Sequence, residues 1–437
     1  MVTHEANLDR RQVPHVRNLG ESGFMTDRRS ILAGALALPL MTKAADAAPV
    51  FDDEQFWRKI ASEYDVTNDV IQLENGNWGM MARPVAAAYQ QLLAKVNRQT
   101  SYYARRTMEG DVAEAKAELA VEMGVSTDDL VLTRNATESL KTLILGYNRL
   151  RQGDAVLYAD LDYDSMQACM ESLRARRGVD VIKIALPEPA TRDNLVAACR
   201  RAFDANPRIR LILLTHLSHR TGLVLPVREI AAMARARGID SIVDAAHSWG
   251  QIDFRLPDLG CDFVGLNCHK WLGNPLGVGA IYVRGSALER IDRDPANDAA
   301  MANTLTARVH TGTPDYAAQL TLPAALAYQR SIGSARRSAR LSALRNRWVA
   351  QVRDHPGIEV LTPDDPACHG AITSFRLRHQ TSDAQNKAIA KRLLDQFGIF
   401  TVYRTGVAKG SCVRVTPALF TYPDQLDKLA KALLTIA

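Results

Sequence analysis

The stretch from Ser241 to Arg284 limits what this chain can fold into more than any other part of it. It opens with the apolar pair Ile242-Val243, closed by Asp244. A second run, Phe263-Val264-Gly265-Leu266, leads into Asn267-Cys268-His269-Lys270, and glycines follow at 273, 277 and 279. Short apolar runs that each end on a charged group read as buried strands of an open α/β sheet, with a site along the C-terminal edge. Asp244 or Lys270 alone would be an ordinary strand-end charge. The full set of Asp-Ala-Ala-His, Asn-x-His-Lys and a glycine-rich turn makes that bland reading the weaker one.

The chain ahead of this stretch repeats the same rhythm. Strands are expected at 130–133, 155–159, 181–185 and 210–214, separated by helices at 138–150, from beyond Asp164 to Arg177, at 192–203 and at 227–237. Alternation of this kind means a mostly parallel sheet with helices on both faces. Residues at strand ends then become site candidates: Tyr163, His219, Asp244, His247 and Lys270. The Asn135-Ala136-Thr137-Glu138 turn opens a helix, whose N–H groups and dipole attract an anion such as phosphate. A plain helix cap explains that turn equally well by itself. Upstream, Glu74-Asn75-Gly76 is a turn signal or a close backbone approach to a ligand, with Asn75 a substrate-binding candidate. One long helix is expected over 316–332. Beyond it, helices and strands at 358–361, 371–376, 400–404 and 412–416 make a smaller C-terminal α/β domain. The basic run Arg336, Arg337, Arg340, Arg345 and Arg347 reads as the solvated side of a helix rather than a nucleic-acid surface.

An acid and a lysine at one sheet edge suit pyridoxal phosphate: the lysine holds the aldehyde as a Schiff base and the acid keeps the ring nitrogen protonated. Neither a G-x-G-x-x-G nor a G-x-x-x-x-G-K-[ST] run stands at any strand–helix junction, which argues against a nucleotide-binding protein. The six cysteines (169, 199, 261, 268, 368 and 412) form no C-x-x-C pair, and Cys261, Cys268 and His269 are poorly spaced for a metal, so no metal is expected.

The N-terminus carries Thr26-Asp27-Arg28-Arg29-Ser30, a modest apolar run to Met41 and the small-residue stretch Ala44-Ala45-Asp46-Ala47-Ala48. This reads as a twin-arginine export signal cleaved after Ala47, with Met25 an alternative start. The run is too short for a stable membrane anchor. The expected destination is the periplasm, reached folded through the Tat machinery. The expected divisions are therefore residues 1–47 (signal), 48–75 (N-terminal segment), 76–333 (large cofactor domain) and 334–437 (small domain).

These motifs, over about Leu73 to Arg414, resemble the class V aminotransferases, pyridoxal-phosphate enzymes of fold type I, and within them the isopenicillin N epimerase-like branch. The resemblance implies an aspartate aminotransferase-like fold and an enzyme of the transferase or isomerase kind acting at the α-carbon of an amino acid or a derived amine. It implies Lys270 as the Schiff-base lysine, Asp244 at the ring nitrogen, His247 near the ring hydroxyl and Tyr163 stacked on the ring. Ala136, Thr137, Asn267 and His269 would bind phosphate. Thr313 would reach the phosphate of the neighbouring subunit in a homodimer, and Arg414 would grip the substrate carboxylate. His219 stands where relatives often have Asn. Relatives that make persulfides need a cysteine on a mobile loop; here Lys409 stands about there, and Cys412 reads as a small buried hydrophobe. Alternatives kept open are a periplasmic siderophore- or peptide-tailoring enzyme, a C–S or β-lyase, and a non-catalytic cofactor-binding protein.

Overall fold

The computed structural model describes residues 53–437; the export signal read in the sequence lies outside them. The first short strand, β1 (Ile71–Gln72), follows a helix at Glu54–Ala61. Seven strands then build the main sheet: β2 (Leu130–Thr133), β3 (Ala155–Ala159), β4 (Asp180–Ile184), β5 (Ile209–Thr215), β6 (Asp240–Asp244), β7 (Phe263–Asn267) and β8 (Gly279–Val283). Their order is β2-β8-β7-β6-β5-β3-β4. Pairing is parallel from β4 through β7, while β8 runs against both β7 and β2. The short glycine-rich turn after Lys270 allows the reversal by which β8 runs back alongside β7. Strands β3, β7 and β8 are buried along their whole length, as apolar runs without alternation require. Among the described residues no helix is long and apolar enough to cross a membrane.

A four-stranded antiparallel sheet follows, built from β9 (Ile358–Val360), β10 (Thr373–Leu377), β12 (Val402–Arg404) and β13 (Cys412–Val415) in the order β12-β13-β10-β9. Between them, β11 (Ile399–Phe400) pairs in parallel with β1. The strand expected over 400–404 is thus two pieces in two sheets. The first ties the N-terminal segment to the C-terminal part, and Leu73 N–H continues the tie by donating to Phe400 O at 3.0 Å.

Three other expectations are corrected. The long helix over 316–332 is two helices, Tyr316–Leu320 and Leu322–Ile332. Pro323 has no N–H to continue the ladder, and it sits in the first turn of the second helix, where that loss is harmless. The helix placed at 138–150 spans Ala136–Gly146 and is capped by Asn135, whose side chain accepts from the Glu138 N–H. The arginine helix, Ser334–Val352, is not solvated where expected: Arg337, Arg340 and Arg345 are buried. Arg340 pairs with Glu54 and lies 5.2 Å from the Trp57 ring centroid, and Arg345 donates to Thr362 and Thr373. Long arginine stems pack as apolar material while their heads find partners.

Candidate active site

The strand ends of the main sheet open into one cavity of about 690 Å³. The turn after β3 supplies Tyr163, the turn after β5 supplies His219, β6 ends on Asp244 with His247 just beyond, and β7 ends on Asn267 ahead of His269 and Lys270. All of these line the cavity with Ala136, Thr137 and Arg414. Two expected residues do not. The Asn75 amide donates to Gln72 O (3.2 Å) and Thr416 O (2.8 Å), so it clamps the N-terminal segment to the end of β13. Thr313 is exposed, away from its own chain's cavity.

Lys270 Nζ lies 2.8 Å from Nε2 of His247. Burial holds the lysine amine down to about 8; Asp244 opposes that shift, whereas Arg414 and Arg404 add to it. Burial, then the charge of Lys270, keeps His247 well below the usual histidine range, so its ring is neutral. Burial and the neighbouring Arg220 do the same to His219. The His219 and His247 rings are nearly parallel, with centroids 6.4 Å apart and planes at 22°, and Tyr163 meets His219 edge-on at 5.2 Å. The buried Asp244 carboxyl is pushed up by desolvation and pulled back by the Ala246 N–H, which donates to Oδ1 at 2.8 Å, and by Lys270.

The helix start beside them is pinned in place. Asn267 Oδ1 accepts the Ala136 N–H at 2.8 Å, joining the end of β7 to the first helical turn. Asn267 thus positions the helix start of the anion site through its oxygen, and its Nδ2 is the group that would donate to an anion there. His269 is fixed by contact of its Nδ1 with Val278 O at 2.9 Å. With the Ala136 and Glu138 N–H groups used, the Thr137 N–H between them meets no protein acceptor among the described residues, so an anion can take it.

Two residues around Arg414, Glu74 and Arg404, were not legible as site residues. Arg414, wholly buried on β13, donates to His219 O at 2.7 Å and pairs with Glu74 at 2.5 Å. Arg404 approaches the same Glu74 oxygen at 3.6 Å. The partners lie 340 residues apart in one case, so no local motif could announce them.

The arrangement fits pyridoxal phosphate. A buried amine near neutrality, a buried acid beside it, a flat histidine wall and a free helix-start N–H stand in one cavity. His247 Nδ1 is buried without a protein partner, as expected of a group awaiting a ligand. The fold and site are those of a pyridoxal-phosphate enzyme.

Residues 82–413 match the Aminotransferase class-V family, and the chain belongs to it. It is 28% identical over 397 residues to the isopenicillin N epimerase of Streptomyces clavuligerus, covering 86% of this chain and 97% of that one. The corresponding protein of Amycolatopsis lactamdurans is also 28% identical, over 395 residues, covering 86% and 98%. Among solved structures, the Escherichia coli cysteine desulfurase CsdA superposes with a TM-score of 0.72 at 19% identity, covering 87% of this chain and 98% of that one. A C-DES variant with glycine covalently linked to its PLP cofactor gives 0.72 at 22% identity, covering 85% and 98%. The structural likenesses establish the fold type I architecture expected from the sequence.

Proposed function

We propose that this enzyme removes and returns a proton at the α-carbon of an amino acid or amino-acid-derived amine, with an epimerase- or aminotransferase-type outcome. The observation that carries this reading is the convergence of Lys270, Asp244 and Arg414 on one cavity that no cysteine lines. Bound there, pyridoxal phosphate supplies an electron sink for charge left at the α-carbon. Asp244 keeps the sink effective by holding a positive charge opposite it. Lys270, with an amine near neutrality, is suited to take the α-proton and to give it back. Arg414 orients the substrate carboxylate.

Persulfide transfer is disfavoured. Cys412 is fully buried on β13 with its thiol pushed up to about 11 by desolvation, and Lys409 donates to Glu188 O instead of serving a mobile nucleophile loop. Loss of a β-leaving group needs no cysteine, so release of sulfide from cysteine belongs among the assays. The reading extends to a homodimer with Thr313 at the neighbour's phosphate, and to Tat-dependent export of the folded, loaded enzyme to the periplasm, where a siderophore or peptide would be the amine.

The test is chemical. Purified protein should be yellow, bleach with borohydride and carry the reduced adduct on Lys270. Lys270→Ala should lose colour and turnover together. An adduct mapped to another lysine would overturn the assignment. Incubation with single-enantiomer amino acids then separates epimerisation, read as racemisation, from transamination, read as a keto acid.

A further inference from the structure

Four arginines line the cavity, and they are not equivalent. Arg134 is exposed and forks onto Glu138 through Nε and Nη2. Arg220 is engaged outside the Glu74 cluster, with one terminal nitrogen on Asp164 and the other on Thr405 O, although its Nε too is buried without a partner. Arg404 and Arg414 remain. Val402 is the Cα partner of Arg414 across β12 and β13, and Arg404 stands two residues from Val402. Strand periodicity therefore puts both arginines on the same face of the small sheet. Their shared acid is Glu74, from the segment that follows β1. Its side chain is 8% exposed, and its Oε2 has no partner. The Nε atoms of both arginines are also buried without partners. Two guanidiniums and one carboxylate leave one net positive charge and unused hydrogen-bonding capacity at the rim where a substrate carboxylate must dock.

On the strength of the functional reading above, we infer that Glu74 is a resident counter-ion of the substrate-carboxylate site, and that Arg404 is its second arm. Glu74 holds the two guanidiniums together and competes with the incoming carboxylate for them. With Glu74 in place the cluster is neutralised by one carboxylate, so the site selects amines that carry a single carboxylate near the reacting carbon. A second anionic group finds no uncompensated charge there. Glu74 is thus a specificity-determining residue, acting through Arg414 and Arg404.

The experiment uses the holoenzyme with acetate and glutarate as probes, read as dissociation constants from the cofactor absorbance. Wild-type protein should bind the two within about threefold of each other. Glu74→Gln should bind acetate about fivefold tighter and glutarate tighter still, because the competing charge is gone. Arg404→Gln, which keeps the buried Glu74–Arg414 pair and so guards against a folding failure, should weaken both about tenfold, raising KM more than it lowers kcat. A second readout is the pH midpoint of the Lys270 chromophore. The groups around Lys270 are Asp244, His247, Arg404, Arg414 and Glu74, with Glu74 acting opposite to the arginines. The midpoint should fall in Glu74→Gln and rise in Arg404→Gln. Unchanged or weaker carboxylate binding by Glu74→Gln, with an unmoved midpoint, would overturn the inference and leave Glu74 a structural ion-pair partner. A wild-type protein that forms no chromophore would instead sink the functional reading. Glu74 would then be judged by thermal shift with acetate, where Glu74→Gln should respond more strongly than wild type and an equal response counts against it.

Discussion

Lys270 Nζ and His247 Nε2 face each other at 2.8 Å in a buried site, two bases at hydrogen-bond distance. They cannot both be protonated there. Desolvation acts on each, and the lysine charge pushes the histidine further down. The outcome is a neutral imidazole that can accept from the amine, and an amine held near 8 rather than 10.5. The nucleophilic amine should therefore appear two or more pH units earlier than on an ordinary lysine. Capture of free pyridoxal phosphate by the apoprotein should accelerate about tenfold per pH unit up to about pH 8 and then level off. Stopped-flow absorbance measures this. A rate still climbing at pH 10 would show that Lys270 behaves as a surface lysine.

Asp244 should matter for turnover far more than for folding. Asn has the same shape and can still accept the Ala246 N–H through its carbonyl oxygen. It cannot hold a proton on the cofactor ring nitrogen. Asp244→Asn should keep its melting temperature within a few degrees, form the coloured adduct, and lose about two orders of magnitude or more in kcat. Near-normal turnover would place the essential acid elsewhere.

Two glycines in the Glu74–Gly79 turn separate binding from stability. A Cβ on Gly76 would sit 2.6 Å from Arg414 Nη2, the movable end of a side chain. Gly76→Ala should fold, displace the guanidinium and raise KM about tenfold with a smaller change in kcat. A Cβ on Gly79 would sit 1.7 Å from the Lys270 carbonyl oxygen, which is backbone and cannot swing away. The Gly79 N–H also donates to His269 O at 2.8 Å. Gly79→Ala should cost about 3 kcal/mol or more, seen in chemical denaturation. Equal effects from both substitutions would mean the turn serves one role.

What the sequence could disclose follows from range. Asp244, His247 and Lys270 sit at the ends of apolar runs, so strand direction alone gathers them at one edge. The Asn135 cap and the Ala136–Thr137 turn are likewise local. The antiparallel course of β8 is less so, because a short glycine-rich turn after Lys270 allows a reversal without requiring it. The Glu74–Arg414 and Glu74–Arg404 contacts form only after β1 pairs with β11. Nothing near Glu74 signals that pairing. The arginine helix misled for a related reason. Its charges are spaced like a solvated face, and only the arrival of Glu54 and Trp57 from the far end of the chain buries Arg340. Asn267 was legible as a site residue, but the hydrogen bond that its oxygen accepts from the helix start was not, because its partner Ala136 lies 131 residues away.

Asp162 supplies a pH test of the scaffold behind the site. It is buried between β3 and β5, accepting the Ala159 N–H at 2.7 Å and the Thr215 hydroxyl and N–H at 2.6 and 3.1 Å. Burial outweighs those donors and, with Asp244 nearby, pushes its carboxyl up to about 7. Between about pH 4 and 7 the native state therefore keeps a proton that the unfolded chain has released. Stability linked to this group is full below pH 4, falls as pH rises through that window, and is flat above it. The loss is at most about 4 kcal/mol. His216 and His369, both lowered to about 4, act in the opposite sense over the same range. Their contribution cancels when wild type is compared with Asp162→Asn, which has nothing to titrate there. Denaturation of both proteins from pH 4 to 8 should give a stability difference that shifts in favour of the variant as pH rises and stops changing near pH 7. A difference independent of pH would mean that Asp162 is already ionised at pH 4, with its three donors outweighing desolvation.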